Sequence, residues 1–236
     1  AAHPYNPVPI LQRIFFKRGK WNLNDVSHDK LAGLQIINGE IDTGFINGIN
    51  NWIKLLLSGM NKYIYAGNDS HGNFNIYRQI KIPMLKLFEK NNQILGKYRT
   101  GVFPNNKKDI ESVVDALKNG NCFVTNGPLL NFTCDASNIN YKMGNKIANH
   151  RGKINIHIIS TPEFGLINKI IVYKGEIGAN KEQECFTLTK PNKYEIIKYY
   201  NVETTKDCYF RCEVSIHCVK EKIFALSNPI WFYPVI

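Results

Sequence analysis

The side chains best suited to chemistry lie in one short polar segment, Asp69-Ser70-His71. On an extended loop, residues two apart point the same way, so the Asp69 carboxylate and the His71 imidazole can converge on one cation. A mixed carboxylate and imidazole site suits zinc, manganese or iron. The alternative is a turn in which Asp69 caps a backbone amide and His71 is exposed, because pairs this short also arise by chance.

A second candidate ligand is His3, which precedes Pro4. Proline biases the residue before it towards an extended conformation, and this suits a histidine that projects from the end of a strand. The alternative is a frayed terminal histidine. Two other histidines, His157 and His217, lie within strand patterns and are interpreted as structural, and His28 lies in a polar, solvated stretch.

Alternating strands and a helix position these candidates in the first half of the chain. Leu34–Ile37 is a short apolar run that predicts a buried strand, ended by Asn38-Gly39. A helix is predicted next, capped by Gly59, from five apolar residues at near-helical spacing: Phe45, Ile49, Trp52, Ile53 and Leu56. Tyr63–Ala66 is the next predicted strand, and it runs directly into the loop that holds Asp69. Such loops are where α/β folds and β/α barrels place their chemistry.

The pattern changes near residue 128. Before it, Asp109 is a good N-cap for a helix that Gly120 ends, and the apolar stripe of this helix consists of Ile110, Val113, Val114 and Leu117. After it, apolar residues alternate with polar ones, as in the stretch from Phe210 to Cys218. Strands at this spacing with almost no helical periodicity predict a β-sandwich over residues 129–236.

The composition is that of an ordinary globular chain. The 236 residues are 44% hydrophobic and 21% charged, which excludes an intrinsically disordered chain. No apolar run approaches the roughly 18 residues that span a bilayer, so no membrane partner is expected. The net charge of +11 favours a small anionic substrate. The lysines are spread along the chain without a basic cluster interleaved with aromatics, so nucleic acid is not favoured as a partner.

The chain has six cysteines, and no two of them are spaced as a CxxC pair. A zinc ribbon or a thioredoxin-like motif is therefore unsupported. Disulfides stay open as an alternative for an exported protein. The opening residues, Ala1-Ala2-His3-Pro4, are neither a signal peptide nor a natural initiator sequence. The chain is therefore interpreted as processed, or as cut from a longer protein, and its compartment is not identified, with the cytoplasm slightly favoured.

The order of several segments resembles the polymerase-and-histidinol-phosphatase (PHP) superfamily of metal-dependent hydrolases, and in particular its carbaryl-hydrolase-like branch. The resemblance covers nearly the whole chain. It rests on His3-Pro4, LQIING at 34–39, AGNDSHG at 66–72, GKYRTGV at 96–102, GNCFVTNGP at 120–128 and ALSNPIW at 225–231.

The resemblance implies an α/β part and an all-β part. Residues 1–128 would form the C-terminal part of a distorted, TIM-like β/α barrel, and residues 129–236 a small β-sandwich. His3 matches a histidine of the family that contacts metal or phosphate and is taken here as a metal ligand, and Asp69 and His71 match its final D-x-H metal ligands. The ion would be zinc, manganese or iron, with more than one ion in the complete protein. Arg99, in the RTG stretch, would contact an anionic substrate, although a surface arginine paired with a carboxylate explains it as well.

The resemblance implies hydrolysis of a phosphoester by metal-activated water. This sequence departs from the family in one respect. The H-x-H motif and the further ligands that open the family's barrel are absent from it. Activity is therefore expected of a complete parent protein, with this chain inactive alone unless it pairs with the missing N-terminal portion or self-associates. The alternative is a non-catalytic fragment or decayed module that serves in binding or assembly through its sandwich.

Overall fold

The computed structural model describes residues 1–6, 21–68, 77–82, 85–90, 95–106, 109–218 and 221–234. This part of the chain is mostly β and contains several sheets. Its helices are α1 (Leu23–Ser27), α2 (Thr43–Leu57) and α3 (Ile110–Lys118). Its strands are β1 (Gly33–Asn38), β2 (Tyr63–Gly67), β3 (Tyr77–Ile82), β4 (Leu85–Lys90), β5 (Arg99–Val102), β6 (Cys122–Thr125), β7 (Leu129–Ala136), β8 (Ile139–Lys142), β9 (Lys146–Ile147), β10 (Arg151–Ile159), β11 (Ile167–Glu176), β12 (Gln183–Thr189), β13 (Glu195–Glu203), β14 (Cys208–Ile216), β15 (Ile223–Ser227) and β16 (Ile230–Phe232).

Helix α2 forms where the spacing of apolar residues predicts it. The Asp42 side chain accepts a hydrogen bond from the backbone N–H of Phe45 at 3.0 Å, which satisfies one of the free donors of the first turn. The buried face includes Phe45, Trp52 and Leu56. Gly59 follows with φ +88°, a conformation that favours glycine, so the predicted helix end is confirmed.

Helix α2 connects two parallel strands. Strands β1 and β2 pair in parallel, with Leu34 opposite Ile64. A parallel pair needs a crossover connection, and α2 provides it. The Trp52 indole N–H donates to the Lys62 carbonyl at 2.8 Å, which fixes the helix against the start of β2. The predicted strands Leu34–Ile37 and Tyr63–Ala66 are confirmed, each extended by one or two residues.

Strands β3 and β4 pair with each other in antiparallel fashion.

The central layer is an eight-stranded sheet. Its order is β12-β11-β14-β15-β6-β5, and β16 pairs with both β14 and β9. A second sheet, of order β13-β10-β7-β8, lies over one face of it. The two sheets share one apolar core, to which Phe132 and Ile156 contribute from the smaller sheet and Val172 and Phe210 from the larger. The β-rich second half that the alternating pattern predicts is therefore confirmed.

The opposite face of the central sheet packs against α2, β1 and β2. This second core joins Trp52 and Leu56 of α2 to Phe224 and Trp231 of the central sheet. The central sheet is thus covered on both faces, and the molecule has three layers at this point. No sheet closes into a barrel within the residues that the structure describes. The division at residue 128 stays a prediction.

Helix α3 begins and ends as its sequence predicts, but its apolar stripe is only partly covered. The Asp109 carboxylate accepts from the Glu111 backbone N–H at 2.9 Å, and Gly120 has φ +68°. Ile110 is 82% exposed, and Val114 is also exposed. Ala116 is the buried residue of this helix. An amphipathic pattern predicts a helix but does not say whether another layer covers its apolar face.

All six cysteines are free thiols, so the disulfide alternative is not realised in this structure. Four of them are buried: Cys122, Cys134, Cys208 and Cys212. No helix in the described ranges has the length and apolar character needed to cross a bilayer.

Candidate metal site at the carboxyl edge of the parallel strands

The first residue of the chain extends the parallel sheet. The Ala1 amino group donates to the Gly33 carbonyl at 2.6 Å, and the Gln35 N–H donates to the Ala1 carbonyl at 2.9 Å. Bonds from one residue to two partners that lie two apart on the neighbouring strand are the pattern of parallel pairing. The N-terminal segment therefore lies beside β1, on the side opposite β2, and runs in the same direction.

This pairing brings the His3 segment and the carboxyl ends of β1 and β2 to one edge of the sheet. His3 lies two residues beyond Ala1, Asn38 ends β1, and Asn68 follows β2. The Gly39 N–H donates to the Gly67 carbonyl at 2.9 Å, so the two strands stay paired to the edge, although their register shifts between Gln35 and Ile37. The carboxyl ends of parallel strands are where sheets of this type hold their sites. Asp69 is the next residue after Asn68, and both Asp69 and His71 lie outside the described residues.

His3 has an unusual backbone conformation. Its φ is +30°, which is uncommon for a residue with a side chain. It precedes Pro4, which is buried and further restricts the conformations that His3 can adopt. Strained residues of this kind persist when the surrounding structure holds them, and they cluster at functional sites. The His3 side chain is partly exposed.

A buried hydroxyl lies two residues after His3. The Tyr5 hydroxyl oxygen is inaccessible to solvent and has no hydrogen-bond partner among the described residues. Burial raises the pKa of the Tyr5 phenol, which therefore stays protonated at neutral pH. An unpaired buried hydroxyl costs free energy unless another group satisfies it. The Tyr5 hydroxyl is therefore a buried hydrogen-bonding group that no described residue satisfies.

Two side chains join the edge of β2 to β5. The Asn68 amide donates to the Tyr98 carbonyl at 2.9 Å and accepts from the Tyr98 N–H. The Thr100 hydroxyl donates to the Ala66 carbonyl at 3.0 Å and accepts from the Ala66 N–H at 2.9 Å. These side chains replace the backbone ladder that would otherwise join the two strands. They fix the position from which the chain leaves β2 towards Asp69.

Arg99 lies on the other face of β5. Neighbouring residues on a strand point to opposite faces, and Thr100 is the one that contacts β2. The Arg99 side chain is exposed, and its guanidinium lies 5.6 Å from the centre of the Phe164 ring. The described residues show no contact between Arg99 and His3.

Lys97, which lies two residues before β5, is a cation that the sequence analysis did not select. Its ammonium is 2.6 Å from the Glu221 carboxylate, and this hydrogen bond raises the pKa of Lys97. The Glu40 carboxylate, two residues after the end of β1, raises it further. Lys97 directly precedes Tyr98, which pairs with Asn68. The sequence signal was its place in the same GKYRTGV stretch that led to Arg99.

The fit of a metal ion depends on residues beyond the described ranges. Among the described residues, no group of three or more His, Cys, Asp or Glu side chains could hold an ion. Among the described residues, His3 offers an imidazole at this edge, and the chain continues from Asn68 into Asp69-Ser70-His71. Imidazole and carboxylate donors are those that zinc, manganese and iron prefer, so the residue types fit such an ion.

Comparison with known proteins gives no match to a family model, a curated protein or a solved structure.

Proposed function

We propose that this chain supplies part of the active site of a PHP-type metal-dependent hydrolase, acting on a small phosphorylated substrate. The observation that carries the proposal is the parallel alignment of Ala1, β1 and β2. It sends His3 and the loop that starts after Asn68 to the same edge of one sheet. This supports a shared site for His3, Asp69 and His71, because the chain enters the Asp69 loop directly after Asn68.

The residues of this chain have separate roles in the proposal. His3, Asp69 and His71 would hold a divalent ion, and the strained backbone at His3 would fix the direction of its imidazole. Asn68 and Thr100 would hold the start of the Asp69 loop in place through their bonds to β5. A bound divalent ion lowers the pKa of water and polarises a phosphoryl oxygen.

A phosphorylated substrate suits the charge of the chain. The net charge of +11 raises the local concentration of anions. Lys97 is the described cation beside Tyr98 and Asn68, and a substrate phosphate could compete with Glu221 for it. Arg99 remains a predicted substrate contact, one that would require its side chain to leave Phe164.

Hydrolysis of p-nitrophenyl phosphate in the presence of zinc, manganese or iron tests the proposal. The variants Asp69→Asn and His71→Gln should lower the rate by at least about tenfold, because even residues that only support a ligand have effects of that size. Asp115→Asn and His150→Gln are matched controls, since both side chains are exposed and lie on other elements. These controls should keep the rate of the original chain.

Two outcomes would overturn the proposal. Equal rates in the Asp69→Asn variant and its Asp115→Asn control would remove Asp69 from the site. A chain without phosphatase activity under any of the three metals, also when combined with a PHP-type N-terminal portion, would favour the non-catalytic module.

A further inference from the structure

A pocket lies at the other end of the parallel strands from the candidate metal site. It has a volume of about 470 Å³ and is lined by residues that precede β1, such as Ala32, and by residues at the start of β2, such as Tyr63. Strands of five or six residues separate these amino ends from the carboxyl edge by about 15–20 Å. The pocket is therefore separate from the site described above and does not depend on its function.

Four lysines line this pocket: Lys30, Lys62, Lys118 and Lys146. They come from the loop after α1, the start of β2, the last turn of α3 and β9, so the tertiary structure brings them together. Asp29 is the one carboxylate among the lining residues. The side chains that line the pocket thus carry a formal charge of +3, from four lysines and one aspartate.

Lys62 is the buried member of this group. It is 3% exposed, and its ammonium donates to the carbonyls of His28 and Leu31, both at 2.7 Å. An ammonium group carries three N–H donors, so the described residues leave one donor without a partner. Burial lowers the pKa of Lys62, and the Asp29 carboxylate offsets this only in part. An anion in the pocket would stabilise the charged form of this lysine.

The other three lysines are exposed at the rim. Lys118 stands in the last turn of α3, where the partial negative charge of the helix end favours a cation. The partial negative charge of the helix end would repel an approaching anion. The four lysine ammonium groups around the pocket would attract it. Ammonium groups bind phosphate as point charges, without the planar geometry that arginine imposes.

We propose that this pocket binds a small multivalent anion of the phosphate type, for which inorganic pyrophosphate is the probe. The positive charge of the lining complements that of such an anion. Lys62 is the buried cation of the lining, and the other three lysines are exposed around it. The pocket would serve as a second binding site, remote from the edge where hydrolysis is proposed.

Calorimetric titration of the full chain with pyrophosphate tests this proposal. The titration is done with a chelator and without divalent metal, so that the carboxyl edge cannot bind the anion through an ion. The double variant Lys118→Gln/Lys146→Gln should weaken binding by about tenfold or more, which corresponds to about 1.4 kcal/mol. Lys181→Gln/Lys198→Gln is the matched control. Both lysines are exposed outside the pocket, and this double variant has the same net charge as the pocket variant.

The proposal is supported if binding has a stoichiometry near one and only the pocket variant loses affinity. It is overturned if the two double variants weaken binding equally, because the anion would then respond to the general positive charge. It is also overturned if pyrophosphate does not bind, or if the pocket variant binds pyrophosphate as tightly as the original chain. Circular dichroism of both variants controls for folding, and Lys62 is left unchanged because its side chain holds the loop between α1 and β1 through two carbonyls.

Discussion

The two faces of the central sheet are built in different ways. Along β14, Phe210, Cys212 and Val214 face the four-stranded sheet, and their contacts are apolar. The alternate residues of β14 face the other way, and they include Tyr209, which joins the second core, and the fully buried Arg211. One strand therefore supplies an apolar face and a polar, hydrogen-bonded face by simple alternation.

The polar face depends on exact partners. Arg211 is 2% exposed and donates from Nε to the Glu182 carboxylate at 2.7 Å. The Tyr209 hydroxyl donates to the same carboxylate at 2.7 Å. The Arg211 guanidinium also lies over the rings of Trp52 and Tyr173. Substitutions of similar volume are tolerated on the apolar face. On the other face, against which α2 and the parallel strands pack, loss of one partner leaves a buried charge unpaired.

The largest effect is expected from breaking this buried ion pair. Arg211→Met should lower the free energy of unfolding by about 3–5 kcal/mol, because the Glu182 carboxylate would stay buried without its partner. Arg151→Met is the control: Arg151 and Glu203 form an exposed pair with side chains 69% and 61% accessible. The control should change the free energy by at most about 1 kcal/mol. Urea denaturation measures both, and equal losses would contradict the difference between buried and exposed pairs.

A smaller effect is expected from Asn228, which joins β2 to the central sheet. Its side chain is fully buried, accepts from the Ile64 N–H at 2.8 Å and donates to the Cys122 carbonyl at 3.0 Å. Asn228→Ala should destabilise the chain by about 1–3 kcal/mol because these backbone groups lose their partner. The exposed Asn201 provides the control variant Asn201→Ala, which should be nearly neutral. Thermal unfolding of the two variants side by side is the measurement.

The apolar face should respond more weakly to a conservative change. Ile156 is 1% exposed in the core between the two sheets. Ile156→Val removes one methylene and should destabilise the chain by about 0.5–1.5 kcal/mol. Ile197→Val, at a side chain that is 51% exposed, should have less effect than this. If Ile156→Val were as damaging as Arg211→Met, the contrast between the two faces would be wrong.

Alkaline pH should weaken the fold through its buried thiols. Burial raises the pKa of Cys122 and of Cys134 to about 12, from an ordinary value of 9.0. Because the folded pKa lies above the unfolded one, the stabilisation is complete below pH 9.0 and is lost as the pH rises towards the folded value. Urea denaturation over this range should show the decline, and Cys134→Ala should make it shallower. A decline of unchanged slope in that variant would exclude Cys134 as a source.

Local patterns were sufficient to predict the elements around the site. The apolar run at Leu34–Ile37 and the spacing from Phe45 to Leu56 correspond to β1 and α2 in the structure. The alternation from Phe210 to Cys212 and beyond corresponds to β14. Each of these signals comes from neighbours in the chain, where the period of the pattern reflects burial on one face.

Contacts between distant parts of the chain could not be predicted in this way. Asn228 and Ile64 are 164 residues apart, and nothing near Asn228 indicates a bond to β2. Parity decides the roles of Arg99 and Thr100, since it is Thr100 that reaches β2 while Arg99 lies on Phe164. The motif containing both residues was visible, but the face that each would take depends on the partner of β5. The exposure of Ile110 on α3 likewise depends on which other elements pack against this helix, and the pattern within the helix does not show that.

The most direct test of the central claim is the metal content of the purified chain, measured by elemental analysis without added chelator. We expect bound zinc, manganese or iron in the chain when the proposed site is complete, alone or with a PHP-type N-terminal portion. The metal should be lost in Asp69→Asn and in His3→Gln and retained in Asp115→Asn. Metal that stays at the same level in all of these variants would contradict the assignment of the carboxyl edge as the metal site.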